Sequence, residues 1–319
     1  MTGARFVRQL KLSAASCGGS SIPMRNKTSR FRSLSPRQAA GNILACGFVL
    51  VFTLSVMAVC SFAQTPSQND EYQPREGQIG KDVMWLPTAQ ALAEKMLNLA
   101  QVTSQDYVID LGSGDGRIVI AAAKRGARAL GIEYNPDLVA LSKRNAVREG
   151  VADKARFIEA DIFKSDFTQA TVLTMFLLPE LNLQLRPAIL DLKPGTRIVS
   201  NYFDMGEWRA EESVAVGRDE GCDTVYCQAY LWIVPAKVAG IWKLPQGELV
   251  LSQEFQIVSG ELGSRGEHLP VADGRLLGDR IDFRIGNTHY TGRVIGNTME
   301  GTFRSAGSTT AWNAKRLTQ

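Results

Sequence analysis

The chain has 319 residues, of which 45% are hydrophobic and 21% charged. That is enough for an enzyme-sized core of roughly 150–200 residues and a second small domain. Its net charge of +4 is unevenly spread: residues 1–69 carry eight basic side chains and no acid, so the remaining 28 basic residues face 32 acidic ones. The basic balance therefore belongs to the leader and is weak evidence for nucleic-acid binding, which usually needs a basic face on the folded domain; no nucleic-acid partner is expected.

Residues 1–64 read as a basic leader followed by a signal or anchor segment. The apolar run Ile43–Ala63 follows the basic stretch and ends in Ser61-Phe62-Ala63 before Gln64, small residues standing where a signal peptidase expects them. Its 21 residues are also long enough to span a bilayer with the basic side held inside. Met24 offers a second start with a more ordinary leader length, and the Arg- and Ser-rich composition also suits an organellar presequence. The expected location is thus exported or membrane-anchored, with membrane association through residues 43–63 if they are retained. The mitochondrial inner membrane is the alternative in a eukaryotic setting.

Residues 65–80 are polar and read as a linker. From Lys81 helices and strands alternate. A helix is expected after Pro87-Thr88, with Thr88 as N-cap and Leu92, Met96 and Leu99 on one face. Tyr107–Leu111 is a short apolar strand, Ile118–Lys124 a helix closed by Gly126, and Arg128–Ile132 a second strand. Asn135-Pro136 caps a helix that stops at Gly150. Arg156–Glu159, Thr171–Phe176 and Thr196–Ser200 supply further strands, and Val225–Val234 a longer one expected at the sheet edge. This spacing implies an α/β domain over residues 81–238, a doubly wound and mostly parallel sheet.

Character changes after Pro235. Short alternating runs over residues 239–319, separated by Gly- and Asn-rich turns, predict a small antiparallel β domain, a meander or partial barrel, whose role is not legible. Both histidines, His268 and His289, lie there without cysteine partners, so no metal site is expected. Cys222 and Cys227 would fall on one strand and point to opposite faces, so two ordinary thiols are expected; pairing them would require a tight turn at Asp223.

The residues that carry chemistry begin at a strand end. Asp110-Leu111-Gly112-Ser113-Gly114-Asp115-Gly116 turns from strand to helix, and its glycines let backbone approach a ligand. Arg117 stands where a dinucleotide loop would place its last glycine, and Asp110 and Asp115 bring negative charge that disfavours a pyrophosphate. The expected ligand is a cationic nucleoside. Glu133 ends the next strand, 23 residues after Asp110, where a carboxylate accepts hydrogen bonds from ribose hydroxyls. Asp161 follows the third strand and can accept from an exocyclic adenine amine, with Ile162 packing on the ring.

With these residues in place, residues 105–205 resemble a class I, seven-stranded methyltransferase of Rossmann-like fold. Asp110–Gly116, Glu133 and Asp161 match its glycine loop, ribose acid and adenine acid. More narrowly, Lys81–Thr88, Asp110–Val119, Phe176–Glu180 and Ser200–Met205 are similar to the mitochondrial protein-lysine methyltransferases that act on the adenine nucleotide translocase and the ATP synthase c-subunit. The resemblance covers roughly residues 80–235 and leaves 239–319 outside it. It implies S-adenosyl-L-methionine as cofactor, bound by Asp110, Gly112, Ser113, Gly114, Asp115, Gly116, Glu133, Asp161 and Ile162, and a protein lysine as acceptor.

Methyl transfer is a displacement at an already activated carbon, so the protein's main work is positioning and excluding water. Trp85, Phe176, Tyr202, Phe203 and Trp208 are candidate pocket aromatics. With no histidine in this domain, Asp204, Glu180 and Glu207 are the acids available to orient or deprotonate an amine. Asp204 ranks first, after the fifth strand; Asp204, Glu180 and Tyr202 are the expected catalytic set. A small-molecule or lipid-head-group acceptor, and a non-catalytic envelope protein that keeps the fold, remain the alternatives.

Overall fold

The computed structural model describes residues 72–264 and 266–317. The leader and its apolar run lie outside the described residues. No helix among the described residues is long and apolar enough to cross a membrane.

Ten buried apolar residues of the first two helices explain why the chain alternates as it does. Helix α1 (Gln90–Leu99) buries Leu92, Ala93, Met96 and Leu97, and α2 (Arg117–Lys124) buries every residue from Ile118 to Ala123. These stripes cover one face of a seven-stranded sheet. Strands β1 (Tyr107–Leu111), β2 (Arg128–Glu133), β3 (Ala155–Glu159), β4 (Val172–Met175) and β5 (Arg197–Asn201) run parallel. β6 (Glu212–Ala215) and β7 (Gln228–Ile233) add the antiparallel side, in the order β3-β2-β1-β4-β5-β7-β6. The expected edge strand is therefore internal: β7 sits between β5 and β6, and the true edge, β6, is short, with three of its four residues exposed.

Three local expectations change or hold for visible reasons. Thr88 is not an N-cap; α1 starts one residue beyond Ala89, and the Thr88 hydroxyl accepts from Asn201 Nδ2 at 3.1 Å in the buried core. A helix that periodicity did not reveal, α4 (Pro179–Leu190), follows β4, its Pro187 sitting inside the helix. By contrast α3 (Pro136–Arg148) is capped as its sequence indicates, with Asn135 Oδ1 accepting from Asp137 N at 2.9 Å.

The last region closes. Eight antiparallel strands, β8 (Gly240–Leu244), β9 (Gly247–Glu254), β10 (Ile257–Ser264), β11 (Glu267–Leu277), β12 (Arg280–Ile285), β13 (Thr288–Ile295), β14 (Thr298–Ser305) and β15 (Ser308–Arg316), form a barrel. The closing pairs are Lys315–Lys243 and Arg316–Trp242. Its interior is filled by Trp242, Leu249, Phe283, Tyr290, Met299 and Trp312, so the barrel is a packed core. It joins the sheet domain through Phe255, stacked on buried Trp208 at 6.0 Å, and through Gln256 Nε2 donating to Arg209 O at 2.8 Å. Trp208 thus serves this junction and not the pocket predicted for it.

Candidate active site

At the carboxyl ends of the parallel strands lies a cavity of about 430 Å3, the place where doubly wound sheets bind ligands. Its floor is the glycine loop between β1 and α2. Gly116 has φ +84°, and a Cβ there would sit 2.8 Å from the Phe157 ring. Gly114, at φ +55°, would press a Cβ to 2.8 Å from Trp85 Nε1. The loop is tied down from three sides. Gly112 and Ser113 N–H donate to Ile132 O at 2.9 and 3.1 Å, Ser142 Oγ donates to Gly114 O at 2.8 Å, and Asn145 Nδ2 donates to Asp115 O at 2.9 Å.

The three strand-end acids differ in environment. Asp110 is 3% exposed and accepts from Thr174 Oγ1 at 2.6 Å. Burial pushes its carboxyl up to about 7; the Thr174 bond pulls against this, and the negative charges of Glu133 and Asp115 add to the rise. Glu133 accepts from Gly114 N and Asn135 N, both at 2.9 Å, so its two oxygens are fixed in direction with lone pairs to spare. Asp161 accepts from Lys81 Nζ and Phe163 N, each at 3.0 Å, and these bonds hold it below the usual carboxylate range.

Asp115 departs from its expected role. Arg117 binds it through two nitrogens, Nη2 at 2.6 Å and Nε at 3.0 Å, and also donates to Thr88 O. Its charge is matched internally, so the negative field that favours a cation falls to Asp110 and Glu133. Asp110, Gly112, Ser113, Gly114, Asp115, Glu133, Asp161 and Ile162 all line the cavity; Gly116 stands behind the loop as the start of α2.

A hairpin from Gln78 to Trp85 forms the roof, closed by Trp85 N–Gln78 O and Gly77 N–Trp85 O bonds of 2.9 Å. Lys81 on this hairpin reaches Asp161 and lies 4.6 Å from the Tyr134 ring centroid. Neither Lys81 nor Tyr134 was singled out by residue type, although Tyr134 directly follows the ribose acid.

The other half of the cavity, beyond the ends of β4 and β5, has aromatic walls. Phe176, Phe203 and Tyr226 line it, with Phe176 5.4 Å and Phe203 6.2 Å from Tyr226 by ring centroids. The predicted catalytic set falls outside. Tyr202 takes φ +65°, a left-handed turn that aims Phe203 at the cavity and leaves Tyr202 38% exposed. Tyr202 packs on Tyr226 at 5.0 Å from behind. Asp204 is exposed and accepts from Gly206 N, as a turn residue does; Glu180 is exposed in the first turn of α4, and Glu207 pairs with Arg186 at 2.9 Å. The reason is directional: the chain leaves β5 through a sharp turn at Tyr202 that turns Phe203 into the crevice and leaves its neighbours Tyr202 and Asp204 outside it.

Tyr226 is the pocket residue that strand patterning hid. Cys222 and Cys227 form a disulfide, with Cα atoms 5.9 Å apart. Strand β7 begins only at Gln228, so residues 222–227 turn instead of extending, and the opposite-faces argument for two free thiols does not apply.

The acids, the glycine cradle and the buried Ser113 hydroxyl, which has no partner among the described residues, fit an adenosine-bearing cation. The ANTKMT methyltransferase domain family matches residues 110–212. A protein-lysine N-methyltransferase of Saccharolobus islandicus is 39% identical over 147 residues, covering 45% of this chain and 91% of that protein. The lysine N-methyltransferase of the ATP synthase c-subunit from Homo sapiens is 36% identical over 144 residues, 44% of this chain and 60% of that one. A crystal structure described as an RNA methyltransferase from Salinibacter ruber with S-adenosyl-L-homocysteine is 44% identical, covers 48% of this chain and 96% of that chain, and has a TM-score of 0.44. This chain belongs to the S-adenosylmethionine-dependent methyltransferase family that includes these protein-lysine N-methyltransferases.

Proposed function

We propose that the protein transfers a methyl group from S-adenosylmethionine to a lysine side chain of another protein. The observation that carries this reading is the division of one cavity into an acid-lined half and an aromatic half. Asp110 and Glu133 supply the negative field and the hydroxyl acceptors for the cofactor, and Asp161 with Ile162 the adenine end. Bound there, the cofactor contributes a methyl group already activated by its sulfonium. Phe176, Phe203 and Tyr226 receive the amine: their faces attract it as a cation, and their low polarity favours its neutral, nucleophilic form. Taken up in its neutral form, the amine has given its proton to solvent before the methyl group reaches it.

Incubating the full chain with tritiated cofactor and a membrane extract, then separating protein, lipid and RNA, tests the acceptor class. Methyl-lysine in hydrolysed protein is the expected product; label confined to lipid, RNA or small molecules would sink the reading. The proposed location is exported or membrane-anchored through residues 43–63. The Cys222–Cys227 disulfide supports an oxidising compartment. A reporter fused after Gln319 that stays in the cytoplasm would refute export.

A further inference from the structure

The connection between β6 and β7 combines a firm base with a loosely held tip. At its base Val216 N donates to Cys227 O at 2.9 Å, and Cys222, 2% exposed, is packed in the core against α1. Lys95 of α1 adds an ion pair to Glu220 at 2.7 Å. Between the cysteines the chain is held far less. Among the described residues no backbone–backbone hydrogen bond holds residues 223–226, and Tyr226 N donates only to the nearby Thr224 Oγ1, at 3.1 Å. Val225 is exposed, yet its neighbour Tyr226 turns inward onto Phe176 and Tyr202. The crosslink at Cys227, together with the Val216 N–Cys227 O bond at its base, therefore holds the residue next to it against the aromatic wall.

We propose that the Cys222–Cys227 disulfide is a positioning device for the methyl acceptor, holding Tyr226 as the one wall of the amine channel that redox state can release. The inference rests on the reading that the acceptor enters the aromatic half. A dithiol breaks the S–S bond by supplying two electrons and two protons; both cysteines become thiols and the reductant closes its own disulfide. Residues 223–226 then gain freedom and Tyr226 leaves the wall. The cofactor half stands on β1, β2 and β3, across the sheet from this connection, and keeps its geometry. Opening a crosslink between residues only five apart removes a local constraint and leaves Cys222 packed in the core.

The test uses two probes on the full chain: S-adenosylhomocysteine, which reports the cofactor half, and an adenosyl bisubstrate analogue whose sulfur side carries an n-butylammonium arm, which reports both halves. Titration calorimetry is run on oxidised and dithiothreitol-reduced protein, on the wild type, Tyr226→Ala and Tyr226→Phe. Oxidised wild type is expected to bind the analogue about tenfold more tightly than S-adenosylhomocysteine, the size of one desolvated cation–aromatic contact. Reduction should erase most of that gain while S-adenosylhomocysteine affinity stays within about twofold. Tyr226→Ala should lose the gain already when oxidised, with no further loss on reduction, and Tyr226→Phe should retain both the gain and its redox dependence. A merely structural disulfide would lower both affinities together, or weaken the analogue as much in Tyr226→Ala as in the wild type; either result overturns the proposal. Should oxidised wild type show no preference for the analogue, the acceptor reading of the aromatic half fails first, and this inference falls with it.

Discussion

The two halves of the cavity are built in different ways. The acid half is assembled from strand ends: Asp110 is the penultimate residue of β1, Glu133 closes β2 and Asp161 lies two residues past β3, so each acid is placed by the strand beside it. The aromatic half is assembled from connections: Phe176 after β4, Phe203 beyond a left-handed turn after β5, and Tyr226 from a disulfide-bound loop before β7. A parallel sheet fixes the first kind of site through its hydrogen-bond register. The second kind depends on where loops fold back, and loops vary while the sheet endures. One half should therefore behave as cofactor site alone and the other as acceptor site alone.

The largest effect that would break this division concerns the acids. Asp110→Ala and Glu133→Ala should each weaken S-adenosylmethionine binding by about 1–3 kcal/mol, the loss expected when a buried acceptor is removed; calorimetry on folded protein checks it. Unchanged affinity in both would mean the glycine loop is not a cofactor loop.

Next comes pH. The Asp110 carboxyl, raised by burial from 3.8 to about 7, is ionised above that pH and neutral below it. Neutral Asp110 no longer attracts a cation, so cofactor affinity should fall as pH drops through about 7, by up to roughly tenfold per unit. The unliganded fold should move the other way. Its Asp110 holds a proton more tightly than the unfolded chain does, so this group's contribution to stability rises as pH falls from about 7 towards 4. In Asp110→Asn both dependences should flatten; a calorimetric pH series and thermal melts read them out, and persistence of both would assign them to another group.

Smaller effects are expected from the aromatic wall. Phe176→Ala and Phe203→Ala should raise the acceptor KM several-fold, on the order of 0.5–1 kcal/mol per lost ring face, with cofactor affinity unchanged. Loss of cofactor binding in these variants would erase the division between the halves. The smallest effects should come from Glu180→Gln and Asp204→Asn. Both side chains are exposed outside the cavity, so activity and stability should stay within about 0.5 kcal/mol of wild type. A hundredfold drop in kcat for Asp204→Asn would restore it to the chemistry.

These contrasts also explain how much of the protein was legible before its structure. The doubly wound sheet was readable because Tyr107–Leu111 and Arg128–Ile132 are short apolar runs bracketed by helices with recognisable ends, and Asn135-Pro136 caps α3 as its residue types indicate. Helix α4 escaped because Pro187 interrupts its pattern and only three of its residues are buried. The edge strand escaped because β6 has four residues and little apolar character. Asp115 misled because residue type shows a charge but not its partner, and Arg117 neutralises it from two positions away.

What the sequence determined by itself was the acid half of the cavity. Seven contiguous residues and two later acids, each at a strand end, carry their geometry with them, because a parallel strand aims its last residues into the crevice whatever surrounds it. The same local logic foretold an antiparallel C-terminal region, although only the pairing of β15 with β8, some 70 residues apart, closed it into a barrel. The aromatic half was decided by tertiary structure alone. Tyr226 and Phe203 face the cavity, and Tyr202 and Asp204 do not, because of one positive φ at Tyr202 and one crosslink between Cys222 and Cys227. Neither can be read from residue spacing: a left-handed turn at a tyrosine runs against local preference, and two cysteines pair only when the chain between them bends.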